Sequence, residues 1–566
     1  MYDLLIKGGR VVDGSGMPSY HADVAVKDGK IVEIGQLTGQ AAETIDAAGR
    51  VVAPGFIDNH CHFDAQVTWD PLCTFSPNHG VTTVIFGNCS LALAPVHPGD
   101  RESLAMMLSR VEAIPMESLR AGVKWNWETF PEYLDVLDQR LGVNAGAMMG
   151  HSAVRRYVMG EDAYEREQAT GDELEAMKAI IREGITAGGM GLSFDRNTGH
   201  LDLEGRPIPG IVAPIEEIYE LASALNGLSA GVLQCGSAYP LEIRDGFATK
   251  MGELSGRPVV YNQLVYSANE PDRWRTHLDI VEQRVREGRR VYPVVNPRPQ
   301  SVRFTMKNGQ IFDRLPTWRP IMMKSTEEKI ADFSDPAVRV KLHAEAVDGK
   351  DIPATALPIM WDRIHVTRAM LPKNKEMQGK SIAKIAEDQG KDVLDAFLDL
   401  VIEEDLDTSF LNSQSGGDDE AMATMLRSPY TVIGLSDAGA HVVFEAGYGY
   451  SSIVLGHWVR ERQVLTMEEA IRKLTFMQAS LYGIDDRGLL RPGMAADIVV
   501  FDPDTIAADE PEEVYDLPEG LMRLRQTAQG VHYTIVNGQV LMVDGEHTGA
   551  YPGRVMRGAA HAAATA

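Results

Sequence analysis

Eight apolar, strand-like runs alternating with helical segments constrain the fold of this chain more than any other feature. They read VVAPGFID, VTTVIFGN, VNAGAMMG, GGMGLSF, SAGVLQCG, PVVYNQLVY, RVYPVVN and YTVIGLSD. Regular alternation of strand and helix predicts a parallel sheet, and eight strands favour a closed (β/α)8 barrel over an open sheet. One intervening helix, GDELEAMKAIIREGITAG, is expected to begin at Asp172 as N-cap and to end at Gly188.

The two ends of the chain differ from the middle because both are rich in hairpins. Asp28-Gly29 and Asn537-Gly538 each lie between runs rich in Val and Ile, and such dipeptides favour tight β-turns. Since chain termini often lie close together, residues 1–51 and 486–556 are predicted to form one small sheet domain beside a barrel of residues 52–485. A stretch at about 300–360 breaks the alternation and is predicted to be an insertion flanking the barrel mouth.

Composition excludes several classes of protein. The 566 residues carry a net charge of -26, which disfavours a nucleic-acid partner because phosphate binding requires a basic surface. Four cysteines without a CxxC pair do not form a disulfide scaffold. The N-terminus lacks a signal-peptide pattern, and no apolar run approaches the length that spans a bilayer. We therefore expect a cytoplasmic protein that does not associate with membranes.

The pair His60 and His62 is the strongest local signal of chemistry. Residues two apart on a strand point the same way, so both imidazoles can face one point after the first strand, and imidazole suits zinc. Asp437 follows the last strand in LSDAGAH. Because the ends of the first and last barrel strands meet at one rim, Asp437 is predicted to ligate the same metal and to move a proton; the alternative is a helix cap.

Two further residues at strand ends have equally plausible structural roles. Cys89 in FGNCS is either a thiolate ligand of zinc or a small buried apolar residue. His151 in GHSA is a candidate to bind a ligand or to polarise a carbonyl, with a hydrogen-bonded core histidine as the alternative.

Four cations are candidates to hold a substrate carboxylate. Arg155 and Arg156 directly follow the His151 motif, and guanidinium groups pair well with carboxylates. Arg298 and Lys324 are weaker candidates, because each is more often a solvated surface charge.

The order of the motifs resembles the amidohydrolase superfamily and, more closely, the N-acyl-D-amino-acid deacylase (D-aminoacylase) family. The similarity extends from about residue 2 to residue 554 and rests on PGFIDxHxH, GVTT, GNC, GHSA, SDAGAH, PGMAADIVVFDP and IVNGQV. It implies a distorted (β/α)8 barrel, a small β-sandwich made from both chain ends, and zinc at the barrel mouth.

The resemblance also implies roles for individual residues. His60 and His62 match the first-strand histidine pair, and Cys89 matches a cysteine that ligates zinc. His151 matches the histidine of a GHxxxR motif, and Asp437 matches the aspartate that ligates metal and acts as general base. His441, in the same motif as Asp437, is expected to contact the substrate.

The chain departs from the family pattern on the fifth and sixth strands, where the family carries metal-binding histidines. Gln234 and either Asn262 or Gln263 occupy those places, and amides are poor zinc ligands beside imidazole. The expectation is one zinc per chain on His60, His62 and Asp437, with Cys89 as a further candidate ligand and manganese or iron as alternatives to zinc. Gln234 and Asn262 are then expected to hydrogen-bond the substrate.

These residues predict a metal-dependent hydrolase, and the resemblance implies that it cleaves the amide C–N bond of an N-acylated amino acid, or a similar small amide, through a metal-bound hydroxide. Asp437 would serve as the base, and His151 would stabilise the oxyanion. The alternatives are hydrolysis of a cyclic amide, imide, carbamate or lactone, and a barrel that binds a small molecule without turning it over. Assembly into a homo-oligomer is left open.

Overall fold

The structure is a computed structural model, and it describes residues 1–236, 246–267, 270–298, 300–350, 352, 359–415 and 418–558. Within these ranges, no helix is both long enough and apolar enough to cross a membrane.

Eight short parallel strands form the predicted barrel. In chain order they are Phe56–Asp58, Val81–Phe86, Asn144–Ala147 with its continuation Met149–Gly150, Gly191–Asp195, Val232–Gly236, Val259–Tyr261, Val291–Val295 and Val432–Ile433. Each pairs with the next in parallel register, and the third is split in two at Met148. The ring closes through loop hydrogen bonds, since His62 N–H donates to Ala438 O at 2.7 Å and Asp437 N–H to His60 O at 3.2 Å. These pairings confirm a distorted (β/α)8 barrel.

Helices pack around the barrel and bury an apolar face against it. The described helices outside the insertion are Arg101–Val111, Met116–Gly122, Phe130–Leu137, His151–Met159, Asp162–Glu165, Gly171–Thr186, Pro209–Val212, Ile215–Ser223, Phe247–Ser255, Arg273–Arg286, Asp419–Arg427, Tyr450–Ile453, Val454–Glu461, Met467–Leu474 and Phe476–Tyr482.

The helix expected to start at Asp172 has a different N-cap. Thr170 caps it, because the Thr170 side chain accepts the N–H of Glu173 at 3.3 Å while the Glu173 carboxylate accepts the N–H of Thr170 at 2.7 Å. This reciprocal capping box satisfies two N–H groups that the helix leaves free. Asp172 instead lies in the first turn, and the helix ends at Thr186.

Both chain ends build one sheet, as the sequence predicted. Its nine strands are Tyr2–Val11, Tyr20–Lys27, Lys30–Gly35, Ala41–Asp46, Val51–Pro54, Ile498–Phe501, Val531–Val536, Gln539–Val543 and Glu546–His547. Two two-stranded ribbons accompany it, Ala507–Ala508 with Ala528–Gln529 and Glu512–Leu517 with Leu521–Arg525.

A glycine divides the run VVAPGFID between the two sheets. Val51–Pro54 pairs antiparallel with Ile498–Phe501 in the terminal sheet, whereas Phe56–Asp58 begins the barrel. A Cβ at Gly55 would lie 2.2 Å from the Thr82 side chain, so only glycine fits where the chain passes from one sheet to the other.

The connection from the seventh strand to the eighth contains a subdomain with its own apolar core. Its antiparallel sheet has the order Gln300–Phe304, Ser409–Ser415, Ile364–Arg368. Its helices are Trp318–Met322, Thr326–Ser334, Pro336–Ala346, Ile382–Gln389 and Val393–Glu403. The insertion predicted at about 300–360 lies within this subdomain, which continues to Ser415. Its later helices have the same period as the barrel helices, so their pattern did not reveal where the insertion ends.

A buried polar cluster joins the terminal sheet to the barrel. Asp497 directly precedes the strand Ile498–Phe501 of the terminal sheet and pairs with Arg487. It also accepts hydrogen bonds from Asn144 Nδ2 at 2.8 Å and from Asn537 N–H at 2.7 Å. All four residues are buried, so each polar group depends on the others in place of water.

Removing the carboxylate of Asp497 is expected to destabilise the whole chain. Asp497→Ala leaves the Arg487 guanidinium buried without its counter-charge, which typically costs about 3–5 kcal/mol. The measurement is the free energy of unfolding from urea titration. The matched control is Glu513→Ala, because the Arg368–Glu513 pair at 3.4 Å is solvent-exposed and should contribute at most ~0.5 kcal/mol. Equal unfolding midpoints for the two variants would refute a role for this cluster in joining the sheets.

Candidate metal centre

His60 and His62 direct their imidazoles to one carboxylate oxygen. They follow the first barrel strand, and each is almost completely buried. The Nε2 atom of His60 lies 3.3 Å from Asp437 Oδ1, and that of His62 lies 3.6 Å from the same oxygen. The structure therefore brings together the three residues that the sequence singled out first.

The loop after the eighth strand is fixed in place beside the loop after the first. Ser436 Oγ donates to Asp58 Oδ2 at 2.5 Å, and Arg298 Nη2 donates to Ser436 O at 3.2 Å. Asp437 itself has a φ of 52°, a left-handed conformation that is strained for a residue with a side chain and that clusters at functional sites.

Cys89 joins the histidines from the end of the second strand. Its Sγ lies 3.5 Å from His60 Nε2, and ligand atoms of His60, His62 and Cys89 all lie within 4.8 Å of one another. Cys89 also has a left-handed φ, of 54°. Burial raises the pKa of its thiol well above the ordinary value, so a nearby cation would be needed to make it a thiolate.

The electrostatics of the cluster suit a cation. Burial raises the pKa of Asp437, but the hydrogen bonds and charges of His60 and His62 outweigh it and bring that pKa well below its usual range. Burial lowers the pKa of His62, yet the charges of Glu112 and Asp437 raise it to about 9. For His60, burial prevails and its pKa is lowered.

The spacing of these atoms fits zinc. Bond lengths of about 2.0–2.3 Å in a tetrahedral zinc site place neighbouring ligand atoms roughly 3.3–3.6 Å apart. The observed separations of 3.3, 3.5 and 3.6 Å fall in that range. Two imidazoles, one thiol and one carboxylate are ligand types that zinc accepts.

Glu112 belongs to the site although the sequence patterns did not reveal it. It follows the helix Arg101–Val111 and is 2% exposed. Its Oε1 lies 3.3 Å from His62 Nδ1 and its Oε2 lies 3.9 Å from His441 Nε2, while its backbone O accepts the N–H of His441 at 2.5 Å. Glu112 thus reaches the side of His62 that faces away from Asp437. No motif surrounds Glu112, so only the folded chain identifies it.

The two amides at the family's histidine positions line the same cluster. The N–H of Cys89 donates to Gln234 Oε1 at 3.0 Å. Asn262 Nδ2 lies 3.2 and 3.3 Å from the two ring nitrogens of His60 and 3.8 Å from Cys89 Sγ. Of the two residues left open for the sixth strand, Asn262 is the one that contacts this cluster.

His151 and Arg155 lie in a separate buried cluster around Glu217. His151 Nε2 is 2.8 Å from Glu217 Oε1, and Arg155 Nη1 donates to Glu217 Oε2 at 2.6 Å. The other end of the Arg155 guanidinium bonds the backbone carbonyls of Arg166 and Glu167. This arrangement assigns Arg155 to packing between helices, in place of the predicted contact with a substrate carboxylate. Among the described contacts, none joins His151 to the histidine pair or to Asp437.

The remaining candidate cations are paired with acidic groups. Arg156 contacts Asp100 and Glu161. Arg298 contacts Glu445, and Lys324 lies 2.6 Å from Asp332 within the insertion. Arg298 acts on the centre indirectly, because it holds the carbonyl of the residue before Asp437.

Several known proteins are similar to this chain over almost its whole length. The chain is 29% identical to a D-aminoacylase of Alcaligenes xylosoxydans xylosoxydans over 98% of this chain and 97% of that protein. It is 28% identical to an N-acyl-D-aspartate deacylase of the same organism over 98% and 95%. The crystal structure of a D-aminoacylase superimposes with a TM-score of 0.68 at 26% identity, covering 98% of this chain and all of the other.

A second solved structure is similar to the same degree. It is the N-acyl-D-glutamate deacylase of Bordetella bronchiseptica complexed with zinc and a phosphonate mimic of the tetrahedral intermediate, with a TM-score of 0.68 at 25% identity over 98% and 99% of the two chains. The family model described as "Amidohydrolase family" matches residues 43–542, nearly the whole chain. On this match and on the barrel that carries the site, the chain belongs to the amidohydrolase family.

Proposed function

We propose that this chain is a metal-dependent hydrolase that cleaves the amide C–N bond of N-acyl-D-amino acids. The observation that carries the proposal is the convergence of His60, His62 and Cys89 with Asp437 at the barrel mouth. The D configuration is taken from the relatives, which are a D-aminoacylase and deacylases of N-acyl-D-aspartate and N-acyl-D-glutamate.

One zinc ion per chain is the proposed cofactor, held by His60, His62, Cys89 and Asp437. When bound, it supplies Lewis-acid chemistry, lowering the pKa of a water and polarising the substrate carbonyl. A solved D-aminoacylase is described as having a binuclear metal centre with one-metal activation and second-metal attenuation. Here amides stand at two of the positions where that family has histidines, which favours a single ion.

Asp437 is the proposed general base and acid. The two histidines bring the pKa of Asp437 well below its usual range, so the carboxylate is ionised, which is the state that a general base must have. The water oxygen forms a bond to the carbonyl carbon, and the π electrons of the C=O bond move onto its oxygen. When that pair returns, the C–N bond breaks and Asp437 gives the proton to the leaving nitrogen. The products are a carboxylate and a free D-amino acid.

Asp437→Asn is expected to lower kcat by about 10²–10⁴-fold, the usual contribution of a general acid–base. The assay is amine release from N-acetyl-D-amino acids, with the L-enantiomers and cyclic imides as comparison substrates. Bound zinc is measured in the same samples, so that loss of the base is distinguished from loss of the ion. Asp332→Asn, in the insertion, is the control and should be as active as the natural chain. Near-normal turnover by zinc-loaded Asp437→Asn would contradict the proposed role.

Metal analysis of the purified chain should give about one zinc per chain. Cys89→Ala removes a proposed ligand, so competition with a chelator should show weaker zinc binding. Cys73→Ala is the matched control, because Cys73 is also a buried free cysteine and has no contact to the histidine pair among the described residues. Two zinc ions per chain, or equal affinity in both variants, would contradict the proposed ligand set.

Glu112→Ala is expected to weaken zinc binding by about 10–100-fold, the usual effect of removing a carboxylate that orients a metal-binding histidine. Its carboxylate beside His62 Nδ1 favours a proton on that nitrogen, so that Nε2 is the nitrogen that loses its proton and binds the ion. Glu117→Ala, an exposed position on the next helix, is the control. Unchanged zinc affinity in Glu112→Ala would exclude this positioning role, whatever the effect on turnover.

A further inference from the structure

The side-chain amide of Gln234 has a fixed orientation and one group without a partner. Gln234 lies in the fifth barrel strand and is 1% exposed. The backbone N–H of Cys89 donates to its Oε1 at 3.0 Å. Because a backbone N–H can only donate, the oxygen must face Cys89 and the NH2 group must occupy the other end. That nitrogen, Nε2, is buried and has no hydrogen-bond partner among the residues that the structure describes.

A buried donor without a partner is costly. Leaving such a group unpaired costs about 1–3 kcal/mol, so most buried polar side chains are hydrogen-bonded. Leucine or methionine at position 234 would remove the unpaired donor, but would leave the Cys89 N–H without its acceptor. The N–H groups of Gln234 are therefore available to an acceptor that is not among the described residues.

Gln234 is linked to the proposed metal centre through Cys89. Cys89, which fixes the amide, is also the residue whose Sγ lies 3.5 Å from His60 Nε2. Two residues further along the same strand, a Cβ on Gly236 would lie 2.9 Å from Cys89 Sγ, so the fifth strand packs directly against Cys89. The free NH2 group consequently belongs to an amide that is bonded to Cys89, one of the proposed metal ligands.

The same geometry argues against Gln234 as a metal ligand. The oxygen of a carboxamide is its metal-binding atom, whereas the NH2 group has no free lone pair to offer. Here that oxygen already accepts the Cys89 N–H, and the group that remains free can only donate.

We propose that Gln234 is a catalytic residue, whose Nε2–H donates to the substrate carbonyl oxygen and strengthens that bond as the oxygen gains negative charge. This inference rests on the proposed amide hydrolysis and adds an oxyanion donor to it. The electron pair that leaves the C=O bond when water attacks is stabilised by the Gln234 N–H, and the bond weakens again when the pair returns and the C–N bond breaks. No proton passes to or from Gln234.

Two substitutions separate the donor from the rest of the side chain. Gln234→Glu keeps an oxygen to accept the Cys89 N–H but loses the NH2 group. Gln234→Met keeps the length and has no polar hydrogen. Both zinc-loaded variants should lose about 10²–10³-fold in kcat, the typical effect of removing one oxyanion donor, while KM changes little. Cys235→Ala, the next residue on the same strand, controls for disturbance of the strand and should leave kcat unchanged.

Affinity for a transition-state mimic provides the second readout. The probe is a phosphonate analogue of an N-acetyl-D-amino acid, in which tetrahedral phosphorus replaces the carbonyl carbon. An oxyanion donor stabilises the tetrahedral form more than the ground state, so both Gln234 variants should bind the phosphonate more weakly and bind the product amino acid normally.

The outcomes separate this inference from the proposed function. If the natural chain hydrolyses the amides and both Gln234 variants keep normal kcat and normal phosphonate affinity, the inference is overturned and the function stands. If the natural chain neither hydrolyses the amides nor binds the phosphonate, the proposed function fails and the inference fails with it. A loss confined to KM, with phosphonate affinity intact, assigns Gln234 to ground-state binding and also overturns the oxyanion role.

Discussion

Closure of the barrel between its first and eighth strands is the constraint on which the rest of the site depends. The hydrogen bonds from His62 N–H to Ala438 O and from Ser436 Oγ to Asp58 align the two loops. Only with this alignment can one oxygen of Asp437 meet both imidazoles. The left-handed backbone of Asp437 is tolerated because contacts on both sides hold it, and a strained residue held in this way is pre-organised for a ligand.

The parts of the structure that repeat along the chain were predictable from the sequence. All eight strand-like runs became barrel strands, because a buried parallel strand leaves a short continuous apolar pattern. His60, His62 and Asp437 were also predictable, since each directly follows such a run and the ends of barrel strands meet at one rim. Cys89 could be placed at that rim, but its nearness to His60 could not be distinguished from ordinary burial.

Contacts between distant segments were not predictable in this way. Glu112 comes from a helix whose sequence carries no motif, and only packing brings it to His62. Arg155 has the residue type and position expected of a carboxylate-binding group, yet its guanidinium is already paired with the carboxylate of Glu217, which comes from another helix. Thr170 was missed as a cap because Asp172, two residues later, is an equally good N-cap type. For Glu112 and Arg155 the deciding partner lies far away in the sequence, whereas the Thr170 cap pairs with Glu173 only three residues later, a local T-x-x-E pattern.

The passage of the chain from terminal sheet to barrel at Gly55 has a consequence for biosynthesis. Val51–Pro54, the strand before Gly55, pairs on one side with Ile498–Phe501 near the other end of the chain, and Asp437 also comes late in the chain. During translation His60 and His62 are synthesised long before Asp437. For the same reason, the edge of the N-terminal strands that pairs with Ile498–Phe501 stays unpaired through most of translation. Assembly of the centre is thus a late event, after release of the C-terminal segment, and nascent chains of this design are exposed to premature association during that interval.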